Sequence, residues 1–294
     1  MSAQGLRFGS AAGQLAVRVP PHVFFLISAV FHYLGPAFAV LLFRHIDVFG
    51  VAWLRIATAA LVFAVWRRPW ALFRDCSPRQ IAVLVAFGAV LGVMNTVFYL
   101  AIDRLPLGTV GAIEFVGPVL LAAAGTRTLR NLGALIIAVL GVYLLTNVRF
   151  AGEPLGFLLA FANCALFMLY VVLGHRLAAD GGANGIDRLA AAMLIAFVVV
   201  SPMGLRDALP AFSDVKLLGA AIVVGVCSSI IPYVCDQLAM ARLSRATFAL
   251  LLSLLPAAAT LIGAVVLRQI PSMLEIVGIA LVVAGVAAHR AGET

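Results

Sequence analysis

Two stretches decide the fold: FYLAIDRLPLGTVGAIEFVGP at Phe98–Pro118 and DQLAMARLSRATFALLLSLLP at Asp236–Pro256. Laid over one another at an offset of 138 residues, they share Leu100/Leu238, Ala101/Ala239, Arg104/Arg242, Leu105/Leu243, Thr109/Thr247 and Pro118/Pro256 without a gap. Each is an apolar run, a break at Arg-Leu, and a second apolar run ending on proline. The chain therefore repeats itself at about half its length. Reading outward from these anchors, apolar runs near 21–43, 47–66, 80–101, 106–124, 131–148, 154–174, 187–204, 216–238, 246–267 and 271–289 stand between charged or Gly/Pro-rich breaks. Each is about the length that crosses a bilayer as a helix, roughly 20 residues. Five runs per half is an odd number, so the second half enters the membrane from the opposite side to the first. The pattern predicts an all-α polytopic membrane protein of ten transmembrane helices arranged as two inverted five-helix repeats, the plan of many secondary transporters.

Composition agrees. Of 294 residues, 64% are hydrophobic and 11% charged, with a mean hydropathy of +1.13, whereas soluble domains are about 45–50% apolar and about 25% charged. The net charge of +8 is scattered between apolar runs, which argues against nucleic acid as a partner, because that needs a clustered basic face. With the N-terminus inside, thirteen Arg or Lys fall in inner segments and six in outer loops. The excess favours both termini in the cytoplasm. Arg7 and Arg18 precede an apolar stretch, but 22–43 is too long for a signal-peptide core and is read as the first span. Cys76, Cys164, Cys227 and Cys235 show neither metal-ligand nor disulfide-framework spacing.

Ionisable residues inside a bilayer are costly, so each is a candidate site. Arg55, Glu114, Asp236 and His32 lie within spans, whereas Arg268 and Glu275 lie near interfaces and are read as headgroup anchors. At 1.5 Å per residue, Asn95 and Glu114 come level across the break near Arg104-Leu105, Tyr99 lies closer to the outer surface, and Arg55 sits at about the depth of Glu114. Arg55 and Glu114 can then form a packing ion pair, or Glu114 can contact a solute. The repeat carries Asn95, Tyr99 and Glu114 onto Tyr233, Gln237 and Leu252, with Ser253 beside the last, so the site is expected to be asymmetric. Asn95, Tyr99, Glu114, Tyr233 and Gln237 are the leading substrate-binding candidates, followed by His32, Asn163 and Tyr170. Arg55, Pro118 and Pro256 are assigned conformational or packing roles. Pro36 and Pro232 also interrupt spans and free carbonyls that neighbours must satisfy. There is no G-x-x-x-x-G-K-[ST] or H-E-x-x-H motif, so no catalytic residue, cofactor or metal is expected.

These residues resemble the drug/metabolite transporter superfamily, specifically its EamA-type members with two five-helix domains. Gly92-Val93-Met94-Asn95, Phe98 to Ile102, Leu105 to Gly108 and Ala112 to Pro118, with Ile231-Pro232-Tyr233 and Ala239 to Leu243, are similar to the threonine/homoserine exporter branch, with aromatic amino-acid exporters a sister branch. Such exporters usually carry an acid before the proline of span 9 and a Gly-Glu-Thr-like turn after it. Here those places read Leu254-Leu255-Pro256 and Arg268-Gln269-Ile270.

The resemblance implies a multi-pass protein of the bacterial inner membrane that exports amino acids or related small metabolites by alternating access, with proton coupling left open. Its parts would be a cytoplasmic tail (1–20), a first EamA-like repeat (21–150) and a second (151–294). The rival readings are a broad drug or cation extruder and an intramembrane enzyme.

Overall fold

The computed structural model describes residues 19–125, 129–149, 153–179, 185–240 and 255–288, and among them the chain is all helix, turn and bend. The helices are α1 (Pro21–Leu42), α2 (Val48–Arg67), a short α3 (Trp70–Asp75), α4 (Pro78–Ile102), α5 (Leu107–Gly125), α6 (Leu129–Arg149), α7 (Pro154–Ala179), α8 (Gly185–Ser213), α9 (Val215–Gly225), α10 (Ile231–Met240), α11 (Leu255–Leu267) and α12 (Met273–Ala288). A single π-helical turn, Val226–Ile230, joins α9 to α10. Among the described residues, five helices are long and apolar enough to cross a membrane, 21–42, 48–67, 78–102, 185–213 and 215–236, and shorter apolar helices cover 129–144, 154–170, 255–267 and 273–285. The beginning of the expected ninth span, 246–254, lies outside the described residues.

The helices start where the sequence supplies caps. Pro21 and Pro78 occupy first-turn positions where an N–H has no helical partner anyway. Ser77 and Gln80 form a reciprocal capping box, and the carboxylates of Asp47 and Asp214 accept from Phe49 N and Lys216 N. Glu275 departs from its expected place among headgroups. It is buried, its Oε2 accepts from Ser272 N at 2.8 Å, and Ser272 Oγ accepts from Glu275 N at 3.3 Å. The carboxylate is thus drawn to the start of its own helix, where orphan N–H groups and the helix dipole favour it. The helix α8 runs nine residues past its expected end at 204, through Pro202 and Pro210.

Packing pairs helices far apart in the chain. The most extensive neighbours are α6 with α12, α2 with α8, α4 with α7 and with α8, α1 with α10, and α5 with α11 and with α7. Along α2 and α8 the backbones approach so closely that a Cβ on Gly50 would meet the backbone of Asp207 and Ala208, and one on Gly204 would meet the Phe49 carbonyl and Trp53. Small residues permit this approach, which in lipid replaces the hydrophobic drive absent between helices. Two polar links tie the same pair. Trp53 Nε1 donates to Ser201 Oγ at 2.9 Å, and Arg67 at the end of α2 pairs with Asp187 in the first turn of α8 at 2.7 Å, each charge sitting at the favourable helix end.

Gly204→Val is expected to force α2 and α8 apart and to lower stability by about 1–3 kcal/mol. Gly219→Val, at a position with nothing within 4 Å of the added carbon, serves as its control. Thermal unfolding of the detergent-purified variants distinguishes them, and equal midpoints would contradict this packing.

Candidate functional site

Proline has no N–H, so a proline inside a helix leaves the carbonyl four residues earlier without its partner. At Pro232 that carbonyl belongs to Ser228, and the chain widens there into the π turn, a device that often marks functional positions. The helix α1 presses against the turn because Gly35 has no side chain; a Cβ there would overlap the Ser228 backbone. Into this place α2 sends Arg55. Its Nη2 donates to the Ser228 carbonyl at 3.0 Å and its Nε donates to Ser229 Oγ at 2.8 Å. The guanidinium lies over the ring of Tyr99, 5.0 Å from its centroid, and the Tyr99 hydroxyl is 3.3 Å from Ser228 Oγ. A cation over an aromatic face in a desolvated place is stabilised by about 2 kcal/mol. The third guanidinium nitrogen, Nη1, has no hydrogen-bond partner.

Across the cavity, α5 presents Glu114 and α7 presents Asn163. Asn163 Nδ2 donates to Glu114 Oε1 at 3.1 Å. Glu114 Oε2 and Asn163 Oδ1 have no partner. Arg55, Glu114 and Asn163 are 4%, 5% and 0% exposed, so these free atoms are held away from solvent, where an unmet charged group is costly. Arg55 and Glu114 form no ion pair; among the described residues the salt bridges are Arg67–Asp187 and Arg104–Asp103. The guanidinium is held by Ser228 and Ser229 of the second half of the chain rather than by Glu114.

The cavity between them measures about 40 Å³, space for a few waters at the roughly 10–15 Å³ that each requires. Most of the expected residues meet here: His32, Asn95, Glu114, Asn163, Tyr170 and Tyr233 line it together with Arg55. Tyr99 does not line it; fully buried, it supports the Arg55 guanidinium from behind. Pro256 is buried in the first turn of α11, and its carbonyl accepts from Thr260 Oγ1 at 2.8 Å. The side chains of Gln237 and Pro118, and the whole of Ser253, lie outside the described residues. Sequence reasoning overlooked Ser228 and Ser229. Their signal was present as a polar pair three and four residues ahead of an in-span proline.

A second cavity of about 160 Å³ opens between the start of α5 and the α11–α12 turn, lined in part by Thr109, Thr260, Gln269 and Glu275. There Gln269 Oε1 accepts from Leu107 N at 3.0 Å, so a side chain of the second half caps a helix of the first. Arg268 makes the turn at φ 56°, in the left-handed region usually left to glycine.

Comparison with known proteins identifies the family. Residues 154–289 match the EamA-like transporter family. A threonine/homoserine exporter, RhtA, of Salmonella typhimurium (strain LT2) is 30% identical over 256 residues, covering 85% of this chain and 84% of the relative. The chain belongs to the EamA-like transporter family. It is a multi-pass membrane transporter and not an enzyme. The threonine/homoserine exporter RhtA of Escherichia coli K12 is 28% identical over 270 residues, 90% of this chain and 89% of that one. A crystal structure with 19% sequence identity superposes with a TM-score of 0.58 over 95% of this chain and 97% of its own, which fixes the fold and nothing finer.

Ser229→Ala removes the acceptor of Arg55 Nε and is expected to cost about 1–2 kcal/mol of stability, read as a lowered unfolding midpoint in detergent. An unchanged midpoint would mean that the guanidinium is held by something else.

Proposed function

We propose that this protein exports amino acids, with threonine and homoserine the first candidates, by alternating access at the cavity between Arg55 and Glu114. The observation that carries the reading is that cavity: buried polar atoms without partners, contributed by helices from both ends of the chain, in the middle of apolar spans. A transporter of small hydrophilic solutes needs such atoms at its midplane. The same feature in a purely structural bundle would only destabilise it.

The proposed architecture is ten spans in two inverted halves, 21–150 and 151–294, following a tail of residues 1–20, with both termini cytoplasmic in the bacterial inner membrane. Helix pairing supports it. If each span k of the first half corresponds to span k + 5 of the second, a two-fold relation maps each of the neighbour pairs α2·α8, α5·α11 and α6·α12 onto itself. It further requires α4·α7 to be matched by α1·α10, α4·α8 by α2·α9, and α5·α7 by α1·α11. All of these neighbours occur. The outer and inner ends would be closed by different links, Gln269 on Leu107 N outside and Arg67 with Asp187 inside. A cavity of about 40 Å³ would widen as the halves part to admit a solute, as alternating access requires.

Charge weighs against the main rival. A cation without an anionic group could be met by Glu114 but would leave the Arg55 guanidinium in the same cavity with Nη1 unpartnered. Downhill efflux and proton antiport are both compatible with this reading, and efflux followed with and without an imposed pH gradient separates them.

Purified protein in liposomes preloaded with labelled L-threonine, L-homoserine and other amino acids should release a subset of them. Glu114→Gln keeps the shape of the side chain and should lower that release at least about tenfold. Wild-type efflux from this variant, with and without a pH gradient, would remove Glu114 from the site. Release of no amino acid by the wild-type protein would overturn the function.

A further inference from the structure

We infer that the cavity reads the two poles of an amino-acid zwitterion separately, Arg55 Nη1 receiving the carboxylate and Glu114 Oε2 with Asn163 Oδ1 receiving the ammonium; this rests on the exporter reading above. The inventory of free atoms is the reason. Arg55 has spent two of its three nitrogens on the second half of the chain, through Nη2 to Ser228 O and Nε to Ser229 Oγ. Glu114 has spent one oxygen, and Asn163 its amide nitrogen, on each other. What is left is one cationic donor, one carboxylate oxygen and one amide oxygen, each buried and unpartnered, with all three residues on one cavity wall or another.

A simple amine would satisfy the two oxygens and leave Nη1 without a partner. A simple acid would satisfy Nη1 and leave the oxygens bare. An ammonium has three donors and can serve Oε2 and Oδ1 together, while a carboxylate one carbon away accepts from Nη1. A ligand carrying both poles on a small frame meets the whole set with charge-assisted hydrogen bonds.

The fixed geometry strengthens the assignment. Arg55 is held at Nε and Nη2 and backed by Tyr99, Glu114 is oriented by Asn163, and among the described residues the two form no ion pair. The site therefore keeps its opposite charges apart, preorganised for a dipolar ligand. Arg55 consequently moves from a packing role to a substrate-binding one. The side chain of the amino acid would face the rest of the wall, where His32, Asn95 and Tyr233 are polar and Met94, Phe98 and Phe167 are apolar.

The test is competition against labelled L-threonine in proteoliposomes by three compounds: unlabelled L-threonine, L-threonine amide, which lacks the carboxylate, and 2,3-dihydroxybutanoate, which lacks the ammonium. The wild-type protein should favour threonine over each analogue by about 10- to 100-fold, the worth of one charge-assisted hydrogen bond. Arg55→Gln should erase the preference over the amide while keeping the preference over the hydroxy acid, and Glu114→Gln should do the reverse. Arg55→Lys keeps the charge and should retain part of the discrimination against the amide, which guards against a folding defect in Arg55→Gln.

If each variant weakens all three compounds by one common factor, or if either analogue competes with the wild-type protein as well as threonine does, the pole assignment is wrong and the exporter reading stands. If the wild-type protein transports no amino acid, both fall together.

Discussion

The carbonyl of Ser228, left without a helical partner by Pro232, is the point on which the centre of this molecule turns. In water such a carbonyl would be met by solvent. Inside a bilayer it must be met by protein, at a cost of several kcal/mol if it is not. The chain meets it with Arg55, a residue still more expensive to bury alone. The two liabilities answer each other, and in doing so they fasten α2 to the broken helix α9–α10. Gly35 makes room for the third partner, α1, and Tyr99 closes the cage from α4. A guanidinium held this way offers one nitrogen, in a fixed direction, to the space beside it.

That anchoring explains why Arg55 and Glu114 share a cavity without sharing a bond. A direct buried ion pair would satisfy both groups and leave nothing for a solute. Here each is held by uncharged partners: Arg55 by a carbonyl, a hydroxyl and an aromatic face, and Glu114 by the amide of Asn163. Their opposite charges keep the cavity neutral overall, which lessens the cost of placing either in an apolar surrounding. The small volume between them goes with close helix packing, which Gly50 and Gly204 permit where α2 meets α8.

Much of this was legible in the sequence, for identifiable reasons. Apolar runs of span length stand out because so few charges interrupt them, and Arg55 and Glu114 stand out because ionisable residues are rare at such depth. Counting along antiparallel helices set Asn95 level with Glu114, and both line one cavity. Rotation about each helix axis was harder to read. Tyr99 and Glu114 are both buried, yet one faces a cage and the other the cavity, because that choice depends on which helix packs alongside. The π turn was hidden for the same reason, since its cause is Pro232 but its stability comes from Arg55, 177 residues away in sequence. Glu275 could have been read correctly: Ser272-Met273-Leu274-Glu275 is a capping-box pattern, and local hydrogen bonding at a helix start outweighed attraction to the headgroups.

The measurement that tests the account most directly is an experimental structure of the protein in lipid with L-threonine bound. The account predicts density for the amino acid between α2, α5 and α7, its carboxylate about 3 Å from Arg55 Nη1 and its ammonium about 3 Å from Glu114 Oε2, with Arg55 still seated on the Ser228 carbonyl. Threonine bound elsewhere, or an Arg55 that leaves Ser228 to pair with Glu114, would contradict it.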